Sequence, residues 1–351
     1  MTYIMVNIKI DYFKDFNLLR KEWKKSFHNS AVSYFSSPMW HQVVLELYQA
    51  TFLTKRLNKI YYFSVSEETS SKADLIGFFS IIKHRRKKIL EFSPIIGPSD
   101  YFDFVVRENF EQLAIKKIIL QIAKDHSADE IHFSHIHRNS LLGRVVQKFS
   151  SVQINTLDCV AISLPNDYDV YFSSLSKSVK QNIRTAYNRL NKSGFSFDFT
   201  VMTRENVQSV NFQELKNLYE SRNLYRKEKL NWKADLFKKL NHPFGKEKDI
   251  FELESIKETD FTLAVLKIQD KIAAYFFGFA RNKKIEINRV VIENEFRFYS
   301  PGLILLNEFI KNEIPKGLKV VDLTVGDEKY KYDLGGETHE ILNAKISLKW
   351  D

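Results

Sequence analysis

Lys319-Val320-Val321-Asp322-Leu323-Thr324-Val325-Gly326-Asp327-Glu328-Lys329-Tyr330-Lys331 is an apolar run that ends at a glycine. Two acids, a tyrosine and a lysine follow. The β-branched residues suit a strand, and the glycine permits a sharp turn at its end. Upstream, Phe261 to Ile268, Lys271 to Ala280 and Lys284 to Ile292 read as three consecutive strands, the first two joined by the tight turn Gln269-Asp270. A bend at Arg297 to Gly302 and a helix from Leu303 to Ile314 separate them from the run at Lys319. Antiparallel strands, a bend, a helix and a further strand make a mixed α/β unit.

The same order occurs more loosely at 59–136: strands Lys59 to Val65, Asp74 to Lys83 and Lys88 to Ile96, a helix and a strand from Glu130 to Ile136. The helix, Arg107 to Lys124, carries Leu113, Ile115, Ile118, Ile119 and Ile122 at helical spacing. The chain therefore reads as a tandem duplication of one α/β fold with a mixed sheet, divided into residues 1–165 and 166–351, with a linker near Pro165 to Ser176. Around these cores the pattern predicts a strand at Tyr3 to Ile10 and helices at Phe13 to Phe27 and from Pro38, the last capped by Ser37. It also predicts a short helix at Leu141 to Phe149, an alternating strand at Val152 to Leu164 and a strand at Phe195 to Met202. Helices at Val207 to Ser221 and Trp232 to Leu240 and a last strand at Ile341 to Lys349 complete the reading.

The 351 residues are 44% hydrophobic, with 29 Phe and 16 Tyr, enough for one large or two ordinary cores. No apolar run approaches the roughly 20 residues of a membrane helix. The opening residues lack the basic start and apolar block of a signal peptide, so a cytoplasmic protein is expected. The single cysteine, Cys159, excludes an internal disulfide and a multi-cysteine metal site. Its place in an alternating run predicts a buried thiol. His132, His135 and His137 share a strand, and His41 and His339 stand alone, so no metal site is expected. The net charge of +10 points to an anionic partner, but no nucleic-acid motif accompanies it. The densest basic cluster, His84 to Lys88, lies between two strand-like runs: a solvated hairpin tip, or a membrane-surface contact.

Four segments concentrate chemistry. Asp327, Glu328, Tyr330 and Lys331 gather proton-exchanging groups at a strand end, where a solvated connector is the plain alternative. Arg297 to Gly302 precedes a helix whose N–H groups and dipole suit phosphate. Lys177, Lys180 and Arg184 share one face of a basic helix running from Ser176 to about Asn191 and stopped at Gly194, either a solvated face or a clamp on an anionic substrate. Ile95-Ile96-Gly97-Pro98-Ser99-Asp100-Tyr101-Phe102-Asp103 sets two acids after an apolar run.

These segments together resemble the acetyltransferases of cellulose or exopolysaccharide synthesis, which are built on the GNAT N-acetyltransferase fold and are distantly like the Fem peptidyltransferases. The resemblance covers most of the chain and is best from Leu175 to Gly335. The single glycine in Ser300-Pro301-Gly302 departs from the family's glycine-rich phosphate turn. The resemblance implies tandem GNAT folds and acyl transfer from acetyl-coenzyme A or another acyl-coenzyme A to an amine or hydroxyl. It makes Asp327 or Glu328 the base, Tyr330 an acid or orienting group, and Lys331 a partner for a carboxylate or a substrate phosphate. Val290, Val291, Ile292, Arg297, Tyr299, Ser300 and Gly302 would hold the coenzyme. Asp100, Tyr101, Asp103, Lys177, Lys180, Arg184 and Asp322 would meet the acceptor, for which a nucleotide-linked amino sugar is expected. No coenzyme site is expected in the first half. The alternatives are transfer from aminoacyl-tRNA onto a peptidoglycan precursor, and a non-catalytic partner of a membrane polysaccharide synthase.

Overall fold

The computed structural model describes residues 8–49, 59–67, 72–84, 86–94, 99–107, 112–207, 211–227 and 254–349. The expected helix at Trp232 to Leu240, the segment Ile95 to Pro98, Arg85 and the first residues of the opening strand lie outside them. The chain divides into two units, one made of residues 1–157 with 340–351 and one made of residues 158–339. The expected boundary at 165/166 treated the halves as contiguous. The structure instead places the last residues with the first unit and the end of the alternating run 152–163 with the second.

In the first unit, strands β1 (Ile8–Phe13), β2 (Lys59–Glu67), β3 (Leu75–His84) and β4 (Lys87–Phe92) form an antiparallel meander. Helices α1 (Asn17–His28) and α2 (Pro38–Gln49) follow β1. The Ser37 hydroxyl accepts the Trp40 amide at 3.0 Å, so serine caps and proline opens α2, as their order predicted. The short strand β5 (Val105–Val106) pairs with β3. Helix α3 (Gln112–Asp125) then crosses to β6 (Glu130–His137), which runs parallel to β4. Beyond helix α4 (Leu141–Val146), the antiparallel partner of β6 comes from the far end of the chain, in residues Ile341 to Ser347 of strand β13 (Gly336–Ser347). The core is aromatic, with Trp23, Trp40, Phe27, Phe63, Phe79, Phe92, Phe104 and Phe133 all fully or almost fully buried.

The second unit repeats this order. Strand β7 (Val152–Ser163) contributes its final residues, helices α5 (Tyr168–Ser174) and α6 (Lys177–Lys192) follow, and β8 (Phe197–Thr203) opens a meander. Helix α7 (Phe212–Lys227) precedes β9 (Phe261–Ile268), β10 (Lys271–Arg281) and β11 (Lys284–Ile292). Gln269 and Asp270, and then Asn282 and Lys283, take positive φ in the two hairpin turns, as two-residue hairpins require. Helix α8 (Pro301–Glu313) crosses to β12 (Val320–Val325), parallel to β11, and β7 pairs antiparallel with β12. A short helix α9 (Lys329–Asp333), which the sequence did not suggest, follows. Each unit thus holds four meander strands, a helix, a parallel fifth strand and an antiparallel sixth. This is a mixed α/β fold, and it bears out the duplication read from the sequence.

One face of the second sheet packs against α6 and α8. Val179, Ile183, Ala186 and Leu190 of α6 join Ile285, Ile287, Phe276, Phe309, Val321 and Leu323 in one core. Strand alternation therefore sends Lys284, Glu286 and Asp322 to the opposite face.

Candidate functional site

Pairing between β11 and β12 covers Lys284↔Val320, Ile285↔Val321 and Glu286↔Asp322. At Thr324 the pairing of β12 with β7 slips, and Thr324 takes φ +55, a left-handed bulge in a β-branched residue. Its hydroxyl donates to the Ile287 carbonyl at 3.0 Å and its amide to Asp322 Oδ1 at 2.9 Å. Asp322 is fully buried. Lys284 Nζ lies 2.7 Å from Asp322 Oδ2 and 3.2 Å from Glu286 Oε1. Burial alone would favour the neutral amine of Lys284, but the two carboxylates outweigh it and hold its pKa above the ordinary value. His339 Nε2 stands 3.9 Å from the same Asp322 oxygen. Neither Lys284, Glu286 nor His339 was singled out from the sequence. The register of two parallel strands far apart in the chain has no sequence signature, and His339, expected to stand alone, faces this cluster.

The strand-end segment divides. Lys331 is 2% exposed, and its ammonium donates to the carbonyls of Thr324, Val325 and Gly326 at 3.3, 2.9 and 3.2 Å. It also pairs with Glu328 at 3.1 Å, so it is a tie for the loop rather than a group open to a substrate phosphate. Gly326 takes φ +117, a conformation glycine supplies readily. Asp327, Glu328 and Tyr330 are exposed.

The turn expected to hold phosphate begins as a 3₁₀ helix, Asn294–Tyr299, and ends at Ser300 in left-handed conformation, which is also the N-cap residue of α8. Pro301 has no N–H, so Gly302 supplies the first amide of the helix. A Cβ on Gly302 would meet Ile292 Cδ1 at 2.6 Å, so glycine is what lets the helix end approach β11. Arg297 is exposed beside the turn, and Tyr299 meets the Ser193 hydroxyl at 3.2 Å. Arg189 donates to the Phe298 carbonyl at 2.7 Å and lies 4.5 Å from the Phe298 ring centre. Val290, Val291 and Ile292 form the end of β11 and pair with β10.

Lys177, Lys180 and Arg184 are not brought to Asp322. They lie on α6, which covers the opposite sheet face; Lys180 donates to the Ser173 carbonyl and Arg184 lies over Phe172. Asp100, Tyr101 and Asp103 belong to the first unit. Tyr101 is buried against Phe35, and burial raises the Asp103 carboxyl to about 7. His41 is enclosed by Phe16, Trp23, Tyr62 and Phe78, and burial lowers its pKa to about 3.

The repeat allows a position-by-position comparison. β6 slips against β13 at the same point, with His135 at φ +60. Glu286↔Asp322 then corresponds to Phe92↔Phe133, and Lys284 to Leu90. Phe92 and Phe133 stack at 5.1 Å, with Phe104 edge-on to Phe92 at 5.3 Å. Where the second unit holds charge, the first holds a leucine and two phenylalanines.

Residues 177–332, which lie in the second unit, match the family model described as "Acetyltransferase (GNAT) domain". No curated protein matches the chain. Among solved structures, FemX is similar at 10% identity, over 95% of this chain and 96% of FemX, with TM-score 0.57. A conserved protein of unknown function from Bacteroides thetaiotaomicron VPI-5482 is 12% identical over 97% and 100%, with TM-score 0.56. The C-terminal domain (DUF2156) of a putative lysylphosphatidylglycerol synthetase from Agrobacterium fabrum is 11% identical over 94% and 92%, with TM-score 0.55. These likenesses establish the fold. Among the described residues, no helix is long and apolar enough to cross a membrane.

Proposed function

We propose that the second unit transfers an acyl group from acyl-coenzyme A, with acetyl-coenzyme A as first donor, to an amino or hydroxyl group of a sugar. The observation that carries this reading is the start of α8 at Ser300-Pro301-Gly302, within a domain that matches the GNAT family model. Its first amides and dipole end suit a pyrophosphate, and Arg297 and Arg189 stand beside it. The coenzyme's pantetheine arm would run along Val290 to Ile292, and its thioester would lie where β11 and β12 part. The acceptor we propose is a nucleotide-linked amino sugar of surface polysaccharide synthesis, modified in the cytoplasm, whose diphosphate suits the +10 charge.

Calorimetric titration with acetyl-coenzyme A tests the donor. One micromolar site is expected, weakened about tenfold or more, or roughly 1.4 kcal/mol, by Gly302→Val. The side chain that a new Cβ would displace is the flexible end of Ile292, so this variant is expected to fold. No binding up to millimolar acetyl-coenzyme A would refute the donor. The likeness to FemX favours aminoacyl-tRNA as the second donor to test.

A further inference from the structure

His339 sits at the start of β13, with its side chain 18% exposed and 3.9 Å from a carboxylate that is itself only 1% exposed. Asp322 is held on every side that the structure shows. Lys284 pins one oxygen at 2.7 Å and the Thr324 amide pins the other at 2.9 Å. A carboxylate fixed in this way presents a fixed field to the imidazole. Asp322 is also the last residue of β12 paired with β11, so the cluster stands at the level where the two strands part. The charged groups facing His339 are Asp322 of β12, Lys284 of β11 and Lys331 of α9, with Glu286 behind Lys284 and Glu328 behind Lys331. Burial lowers the pKa of His339, Asp322 opposes this, and Lys284 and Lys331 lower it further, to a net value below the ordinary one. The ring is therefore neutral, and able to accept a proton, near pH 7. The first unit has no such group: Phe133 stands where Asp322 does, packed against Phe92.

We propose that His339 is the general base of the acyl transfer and that Asp322 positions it, an assignment that rests on the acyl-coenzyme A reading. Nε2 stands 3.9 Å from Asp322, beyond hydrogen-bond distance, so the carboxylate acts on the imidazole through its field. As the acceptor nitrogen or oxygen attacks the thioester carbonyl, its proton passes to the His339 imidazole. The new C–N or C–O bond forms, the C–S bond breaks, and the proton goes from the imidazolium to the departing thiolate. The products are the acylated acceptor and free coenzyme A thiol.

The test uses the full chain labelled with ¹⁵N-histidine, with His339 assigned by its loss in His339→Gln. Saturation with acetyl-coenzyme A is expected to move the His339 ring resonances and leave those of caged His41 in place. The His339 titration midpoint is expected to fall in Asp322→Asn and rise in Lys284→Met, which measures the coupling of His339 to the cluster, while the ligand-induced shift and the thiol assay report its role. If Asp322→Asn fails to fold, the Lys284→Met shift decides the coupling. Thiol release from acetyl-coenzyme A with hydroxylamine as surrogate acceptor is expected to fall about 10²–10⁴-fold in His339→Gln. Where the wild-type chain releases no thiol, the resonance shift decides. An unmoved His339 in a chain that calorimetry shows to be loaded overturns the base assignment alone. So does Asp327→Asn or Glu328→Gln abolishing thiol release while His339→Gln retains it. If acetyl-coenzyme A does not bind at all, the donor reading fails and this assignment fails with it.

Discussion

Lys331→Met removes a buried cation while keeping most of its volume, and the contacts set the scale of the effect. The ammonium donates to the Val325 carbonyl at 2.9 Å and, less closely, to those of Gly326 and Thr324 at 3.2 and 3.3 Å. Hydrogen bonds to a charged group contribute about 1.5–3 kcal/mol each. Three ammonium protons shared over these carbonyls and Glu328 are not all well aligned, so about 3–4 kcal/mol in total is reasonable. The ion pair adds little, because Glu328 is 55% exposed and surface pairs contribute about 0–1 kcal/mol. Releasing a lysine from burial and gaining an apolar side chain return about 1 kcal/mol. The net expectation is a loss of about 2–3 kcal/mol. It should be concentrated in the segment that Lys331 ties, which includes Thr324 at φ +55 and Gly326 at φ +117. Urea unfolding followed by circular dichroism measures the global loss. Amide exchange over residues 320–334 measures the local one, expected to be roughly 30- to 150-fold faster. Glu328→Gln should stay within about 0.5 kcal/mol of wild type. If Lys331→Met matches wild type, or Glu328→Gln costs as much, the carbonyl tie is not what holds the loop.

Three further outcomes follow from particular contacts. His41 has a folded pKa near 3, below its unfolded value, so its neutral form contributes stability that is full above about pH 6.5 and lost as pH falls. Between pH 7.5 and 5 that loss is about 2 kcal/mol, and urea midpoints for His41→Gln should lack it. Gly278 sits at the β10–β11 bulge, where a Cβ would meet the Glu286 carbonyl oxygen at 2.4 Å, so Gly278→Ala should cost about 2–3 kcal/mol in the same assay. Phe133→Ala should cost about 3–5 kcal/mol and leave acetyl-coenzyme A binding at one molecule per chain, while a second bound molecule would refute the reading of the first unit as filled.

The meander Phe261 to Ile292 was legible because both of its turns are short and polar and its strands are long and apolar. The helix at Lys177 was legible because Ser176 caps it, accepting the Val179 amide, and Gly194 at φ +67 ends it. The strand run ending at Gly326 was placed correctly. The role of Asp322 within it was only half visible, since the sequence shows a polar residue in an apolar strand but not the Lys284 that meets it from a parallel neighbour. Asp327 and Glu328 drew attention because adjacent acids after a glycine look like chemistry, yet both are exposed. Lys331, expected to meet a carboxylate or a substrate phosphate, pairs with Glu328 and is buried, because helix α9 turns it back onto the loop that precedes it. Phe92 and Phe133 carry no signal of their own in the sequence, and only the repeated bulge identifies the positions they occupy.

The sixth strand of each sheet comes from outside the stretch of chain that supplies the other five. Residues Cys159 to Ser163 of β7, which pair with β12, are made before the rest of the second unit. Residues Ile341 to Ser347 of β13, which pair with β6, are made after the second unit. On a ribosome the unit begun first therefore finishes last. At about 5–20 residues per second, the roughly 200 residues between β6 and its partner take on the order of 10–40 s to emerge. Throughout that interval β6 presents an open backbone edge, the kind of surface that recruits foreign strands. A nascent chain arrested before residue 341 would hold a second unit with all its strands and a first unit lacking one, which makes the first unit the point at which chaperones, proteases or aggregation would act.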